Sequence, residues 1–268
     1  MTLNSDFYYK IGFSHKYCDD YACISDNIIT NMAIISDGCS SSYKSNYGSL
    51  ILPQIYIDLI LSNKSNIGQE EIIYSANKCI SYLNLPEQSL DATLFAIYIE
   101  QNTSNKYRIF CSGDGSIIKI TKDNHIEFTY IEYPSGAPLY MNYYSNSRRL
   151  ELYKEKYGFK RIIHNYKVID NIIVDYQSIT DETGESYIES GNATDYKFIG
   201  VTSDGIASFV DADKKLIENI VVVKELLNFK SYKGEFIQRR MNGFNKYCLD
   251  NGWKHSDDFS IAGIHIDA

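Results

Sequence analysis

The chain is 268 residues long, 44% hydrophobic and 22% charged, and its 34 acidic against 26 basic side chains give a formal net charge of -8. That length suits one large domain, residues 1–268, with a sizeable core, and the composition is ordinary for a soluble protein. The negative balance argues against a nucleic-acid binder, which needs a clustered positive field, and fits carboxylates gathered around divalent cations.

Residues 1–10 are polar and aromatic, without the apolar run of a secretory signal, and residues 7–13 and 21–24 read as the first strands. The apolar run Met32-Ala33-Ile34-Ile35 stops on Ser36-Asp37-Gly38, which places a carboxylate where a buried strand meets solvent. Asp-Gly is also a common turn signal, so the weight of this site rests on recurrence elsewhere. A serine-rich loop, residues 40–48, leads to a helix capped by Ser49, with Leu52, Ile55, Leu59 and Ile60 on one face. A second helix runs over residues 69–83.

Residues 93–99, 107–111, 117–120 and 125–130 then read as short strands with tight connections, the pattern of antiparallel sheet. Residues 133–188 are less patterned, with a short helix over 147–157 and strands at 161–163 and 172–174. Phe198 to Ser203 ends on Asp204-Gly205, repeating the arrangement at Asp37. Helices over 213–228 and 234–250 follow, and a last strand, 259–266, is entered from Asp257-Asp258. Strands, two helices, strands, two helices and a strand predict an α+β fold, with sheets faced by helices. The longest apolar stretches, 50–61 and 217–227, are too short to span a bilayer. The six scattered cysteines contain no Cys-x-x-Cys pair. Reduced thiols in a cytoplasmic protein are the simplest reading.

Asp20, Asp37, Asp204 and Asp257 share one placement, each beside an apolar strand candidate. Carboxylates converging on one rim would repel unless cations neutralised them, and hard oxygen ligands select magnesium or manganese. Two such ions can activate a water suited to attack phosphorus.

The order of motifs resembles the type-2C metal-dependent protein phosphatases, closest to their compact bacterial branch. Gly12-Phe13-Ser14-His15 through Cys18-Asp19-Asp20-Tyr21-Ala22 is similar to the opening motif, and Ile35-Ser36-Asp37-Gly38 to the first metal motif. Asp91-Ala92-Thr93-Leu94 stands where the family starts a strand with Gly-Thr-Thr. Gly113-Asp114-Gly115, Thr202-Ser203-Asp204-Gly205 and Asp257-Asp258-Phe259-Ser260-Ile261 complete the series.

The resemblance implies a four-layer α/β/β/α sandwich and hydrolysis of phosphoserine or phosphothreonine. Asp37, the Gly38 carbonyl, Asp204 and Asp257 would bind two manganese or magnesium ions, with Asp20 orienting water from behind them. His15 falls where much of the family holds phosphate with an arginine, though an imidazole lacks the fork of a guanidinium. Cys39 replaces a histidine proposed as general acid in animal members. Asp114 matches a third-metal ligand whose companion acid is here Ser208, so any third ion is expected to be weak or absent. Phosphoproteins and their serine/threonine kinase are the implied partners, the protein acting as a monomer, with residues 133–188 in the place of a flap. The alternative is a non-catalytic domain of this fold that binds phosphorylated partners. From the residues alone, Asp114 also fits a hairpin turn, Asp258 a strand entrance and His15 a surface histidine.

Overall fold

The computed structural model describes residues 1–26, 30–62, 67–100 and 105–267. The chain begins with β1 (Thr2–Lys10), β2 (Asp20–Asp26) and β3 (Thr30–Asp37), then α1 (Asn46–Leu61) and α2 (Gln69–Tyr82). Next come β4 (Leu94–Glu100), β5 (Lys106–Ser112), β6 (Gly115–Thr121), β7 (Ile126–Glu132), α3 (Ser147–Tyr157), β8 (Arg161–Ile169), β9 (Ile172–Asp181), β10 (Tyr187–Asn192) and β11 (Tyr196–Thr202). The short β12 (Phe209–Val210), α4 (Asn219–Leu226), α5 (Phe236–Asp250), β13 (Lys254–His255) and β14 (Phe259–Asp267) follow.

Seven strands form one sheet in the order β1-β14-β11-β6-β7-β8-β9, and five form a second, β10-β5-β4-β3-β2. All their pairings are antiparallel. Successive side chains of a strand face opposite ways, so a strand buried on both faces must be apolar throughout. In β3, Ala33 and Ile35 enter the core between the sheets with Phe95, Ile117, Ile199 and Ile264. Met32 and Ile34 point the other way, into the layer built with Leu52 and Tyr56 of α1 and Ile73 and Ile80 of α2. On the far side, Ile118, Phe128 and Phe198 pack against Val223 of α4 and Phe236, Met241 and Phe244 of α5. The result is the predicted four-layer α/β/β/α sandwich.

Several boundaries differ from the sequence reading. β1 ends at Lys10 instead of running to Phe13, because its pairing with β14 closes at Lys10↔Phe259 and Gly12 leaves to pack on Asp257. Helix α1 starts at Asn46, so Ser49 is inside the helix. The helix expected from residue 213 begins only at Asn219. Before it, Asp211 Oδ1 accepts from the N–H groups of Asp213 and Lys215 and holds a turn.

The largest difference concerns Gly113-Asp114-Gly115. It is no hairpin, because β5 and β6 belong to different sheets and these residues carry the chain from one layer to the other. Residues 133–188 also divide: 161–181 form two further strands of the large sheet, and only the part around α3 lies over the cavity described next.

Candidate active site

Antiparallel order brings the end of β3, the start of β2, the β5–β6 crossing, the end of β11 and the entrance to β14 to one end of the sandwich. Asp20 and Asp37 are direct cross-strand partners there. Asp37, Gly38, Asp114, Asp204, Asp257 and His15 all line one cavity of about 390 Å³. Three other cavities, of about 710, 700 and 420 Å³, are larger, but the described residues lining the first two include a single acid each, Glu225 and Asp211, and those lining the third include none. Chemistry, not size, singles out the smaller one.

The backbone of this corner is tightly held. Thr93 N–H donates to Asp37 O (2.8 Å), Thr93 Oγ1 accepts from Asp37 N–H (2.9 Å), and Gly38 N–H donates to Asp19 O (3.1 Å). A Cβ on Gly38 would lie 2.9 Å from the Ser45 backbone, so the loop can close only on glycine. Asp20 is fixed by Ser203 Oγ, which donates to its Oδ2 (2.8 Å).

Burial dominates the electrostatics. Together with the nearby charge of Asp204 it pushes Asp20 up to about 7, and with the charge of Asp257 it pushes Asp204 up to about 6. Burial, then the charges of Asp20 and Asp204, raises Asp37 well above the usual carboxylate range, and burial with Asp204 does the same to Asp114. Asp20 Oδ1 and Asp204 Oδ1 are buried without a hydrogen-bond partner among the described residues. Unpaired buried carboxylate oxygens are costly unless a cation satisfies them.

The donor set therefore fits a hard divalent ion. Among the described residues no three His, Cys, Asp or Glu side chains converge closely enough to cage an ion alone. Magnesium does not need such a cage, since it binds through one or two carboxylates and keeps several waters.

No family model and no curated protein sequence matches the chain. Solved structures do. A bacterial serine phosphatase variant superposes with a TM-score of 0.56 at 14% identity, over 100% of this chain and 99% of that one. The serine/threonine phosphatase Stp1 from Staphylococcus aureus gives 0.56 at 14%, over 100% and 96%. The PP2C phosphatase domain of SpoIIE from Bacillus subtilis, solved with a fragment of its regulatory domain, gives 0.52 at 11%, over 99% and 64%. The chain has the type-2C phosphatase fold.

On this type-2C scaffold His15 is engaged at both ring nitrogens: Nε2 lies 3.3 Å from Asp257 Oδ1 and Nδ1 3.2 Å from Asp258 Oδ1. Burial alone would lower its pKa, but the hydrogen bond and charge of Asp258, then the charge of Asp257, hold it above the ordinary histidine value. Among the described lining residues there is no lysine or arginine.

Two functions were not legible from the sequence. Asp258, expected at a strand entrance, is buried and accepts from Gly12 N–H (2.8 Å) and Asp19 N–H (2.6 Å), tying the opening motif to β14. The far wall of the cavity is aromatic, formed by Tyr140, Tyr143 and Tyr157 with Gly136, Ala137 and Pro138. The tyrosine richness of residues 133–157 was the available signal.

Proposed function

We propose that this chain is a metal-dependent serine/threonine protein phosphatase that hydrolyses phosphoserine and phosphothreonine. The observation that carries the reading is the convergence of Asp37, Asp114, Asp204 and Asp257, from four distant segments, on one cavity of a type-2C fold. Asp37, the Gly38 carbonyl, Asp204 and Asp257 would hold two magnesium or manganese ions, and Asp114 a weaker third. Bound there, such ions lower the pKa of an attacking water and neutralise charge on the phosphoryl oxygens.

The chain's own residues supply the rest. Asp20, fixed by Ser203 and with Oδ1 unpaired among the described residues, would orient the attacking water from behind the metal ligands. His15 steadies Asp257 through Nε2, and it is the only basic side chain among the described residues lining the cavity. Tyr140, Tyr143 and Tyr157 keep bulk water from the acids. Cys39 lines the cavity with its thiol 3.2 Å from Ser41 Oγ, and the thiol is no proton donor in this scheme.

No described helix is long and apolar enough to cross a membrane. We place the protein in the cytoplasm as a single-domain monomer acting on phosphoproteins and opposing a kinase. The test is hydrolysis of an aryl phosphate and of a phosphoserine peptide with manganese. Turnover abolished by chelator, and lowered at least about a hundredfold by Asp37→Asn, is the expected result. Activity indifferent to chelator overturns the reading, and calorimetric metal binding without turnover makes the chain a non-catalytic phosphopeptide-binding module.

A further inference from the structure

The cavity has two walls that come from separate parts of the chain, and one short segment grips both. On the acidic side the grip is made by backbone: Cys39 N–H donates to Asp91 O (2.9 Å), Gly38 bridges Ala92, and Thr93 N–H donates to Asp37 O (2.8 Å). On the aromatic side it is made by the Asp91 side chain. Arg149 Nη2, from α3, donates to Asp91 Oδ1 (2.9 Å) and Oδ2 (2.8 Å). Asn142 Nδ2 adds a bond to Oδ1 (3.0 Å), and Ser42 Oγ one to Oδ2 (2.9 Å).

A carboxylate has about four acceptor positions, and here all are used by donors from three segments. Asp91 is 1% exposed, so these bonds are shielded from solvent. Arg149 makes two further contacts, from Nη1 to Glu87 Oε1 (3.1 Å) and from its guanidinium to the Tyr143 ring (4.7 Å). Tyr143 in turn lines the cavity.

We propose that Arg149 and Asp91 form a clasp that fixes the tyrosine wall at a set distance from the Asp37-Gly38-Cys39 corner. Arg149 is then a positioning residue for the hydrolysis proposed above, acting through Asp91 without touching the reacting atoms. The clasp rests on the phosphatase reading only for its kinetic consequence.

The test therefore has a readout independent of turnover. Cys39 lines the cavity, and its alkylation in the native protein, followed by peptide mass mapping, reports how far the walls stand apart. Arg149→Gln is expected to speed Cys39 alkylation about tenfold and raise KM for a phosphoserine peptide about tenfold, with kcat within about twofold. Arg149→Lys, which keeps charge but loses the fork, falls between the two. Combining Arg149→Gln with Asp91→Asn adds little to the larger single effect if the two residues act as a unit.

Unchanged Cys39 alkylation in Arg149→Gln, or fully additive effects in the double variant, overturns the clasp. An unchanged KM in an active enzyme overturns the positioning role. Should Asp91→Asn not fold, the two Arg149 variants decide alone. A wild-type protein without phosphatase activity removes the proposed function, while the alkylation rates still decide the clasp.

Discussion

Asp37 sits under opposed demands. Its place beside Asp20 and Asp204 makes its negative charge expensive, and the same place makes that charge useful to a cation. Replacing it with asparagine removes the repulsion without changing the shape. Metal-free Asp37→Asn is therefore expected to melt roughly 2–4 °C above the wild type, the equivalent of about 1 kcal/mol in a chain of this size. Differential scanning fluorimetry in chelator decides it, and a lower melting point would mean that Asp37 is satisfied by something other than an ion. The acids legible in the sequence, Asp37, Asp204 and Asp257, are those that interrupt or precede apolar runs. Asp258 and Asp91 also stand before strands, but what they hold could not be read from that position. Their partners lie 239 and 246 residues away for Asp258 and 58 for Asp91, and nothing in local periodicity reports on contacts at such separations.

Elements were legible where both faces of a strand are buried, because the apolar run then marks the strand from end to end, as in β3. They blurred where one face meets solvent. β9 is exposed along nearly its whole length, so only its first three residues carried an apolar signal. Helix ends blurred when their caps come from elsewhere in the chain. Helix α5 has no side-chain cap of its own; Asp6 of β1 provides one, with Oδ2 accepting from Ile237 N–H (2.6 Å) and Gln238 N–H (3.0 Å). Asp6→Ala strips those donors of their partner in a buried position and is expected to cost about 1–2 kcal/mol. Urea unfolding measures this, with the midpoint falling and the slope unchanged. An unaltered midpoint would mean that water replaces the carboxylate without loss. The Gly113–Gly115 crossing shows the converse limit, since two strands with a tight connection look alike whether or not they pair with each other.

At the scale of the whole molecule, two antiparallel sheets stacked face to face return the chain to the same end again and again. Residues as distant as Asp37 and Asp257 come to line one cavity for that reason, and no local motif needs to encode their meeting. Lys119 of the large sheet and Glu189 of the small one, 2.5 Å apart and mostly buried, help hold the layers in that alignment. The cost is a rim of crowded carboxylates, whose mutual repulsion a bound cation would relieve. A ligand that binds only the native state stabilises by mass action, by about 2.7 kcal/mol at a hundredfold excess over its dissociation constant. In a chain of this length that corresponds to a rise in Tm of roughly 5–10 °C. Manganese at millimolar concentration should produce such a rise, chelator should reverse it, and Asp37→Asn should abolish most of it. A melting point that ignores manganese in the wild type would show that the rim is not a cation site. The acids would then have to be neutral in the folded protein, and the fold would have gathered them for no chemistry described here.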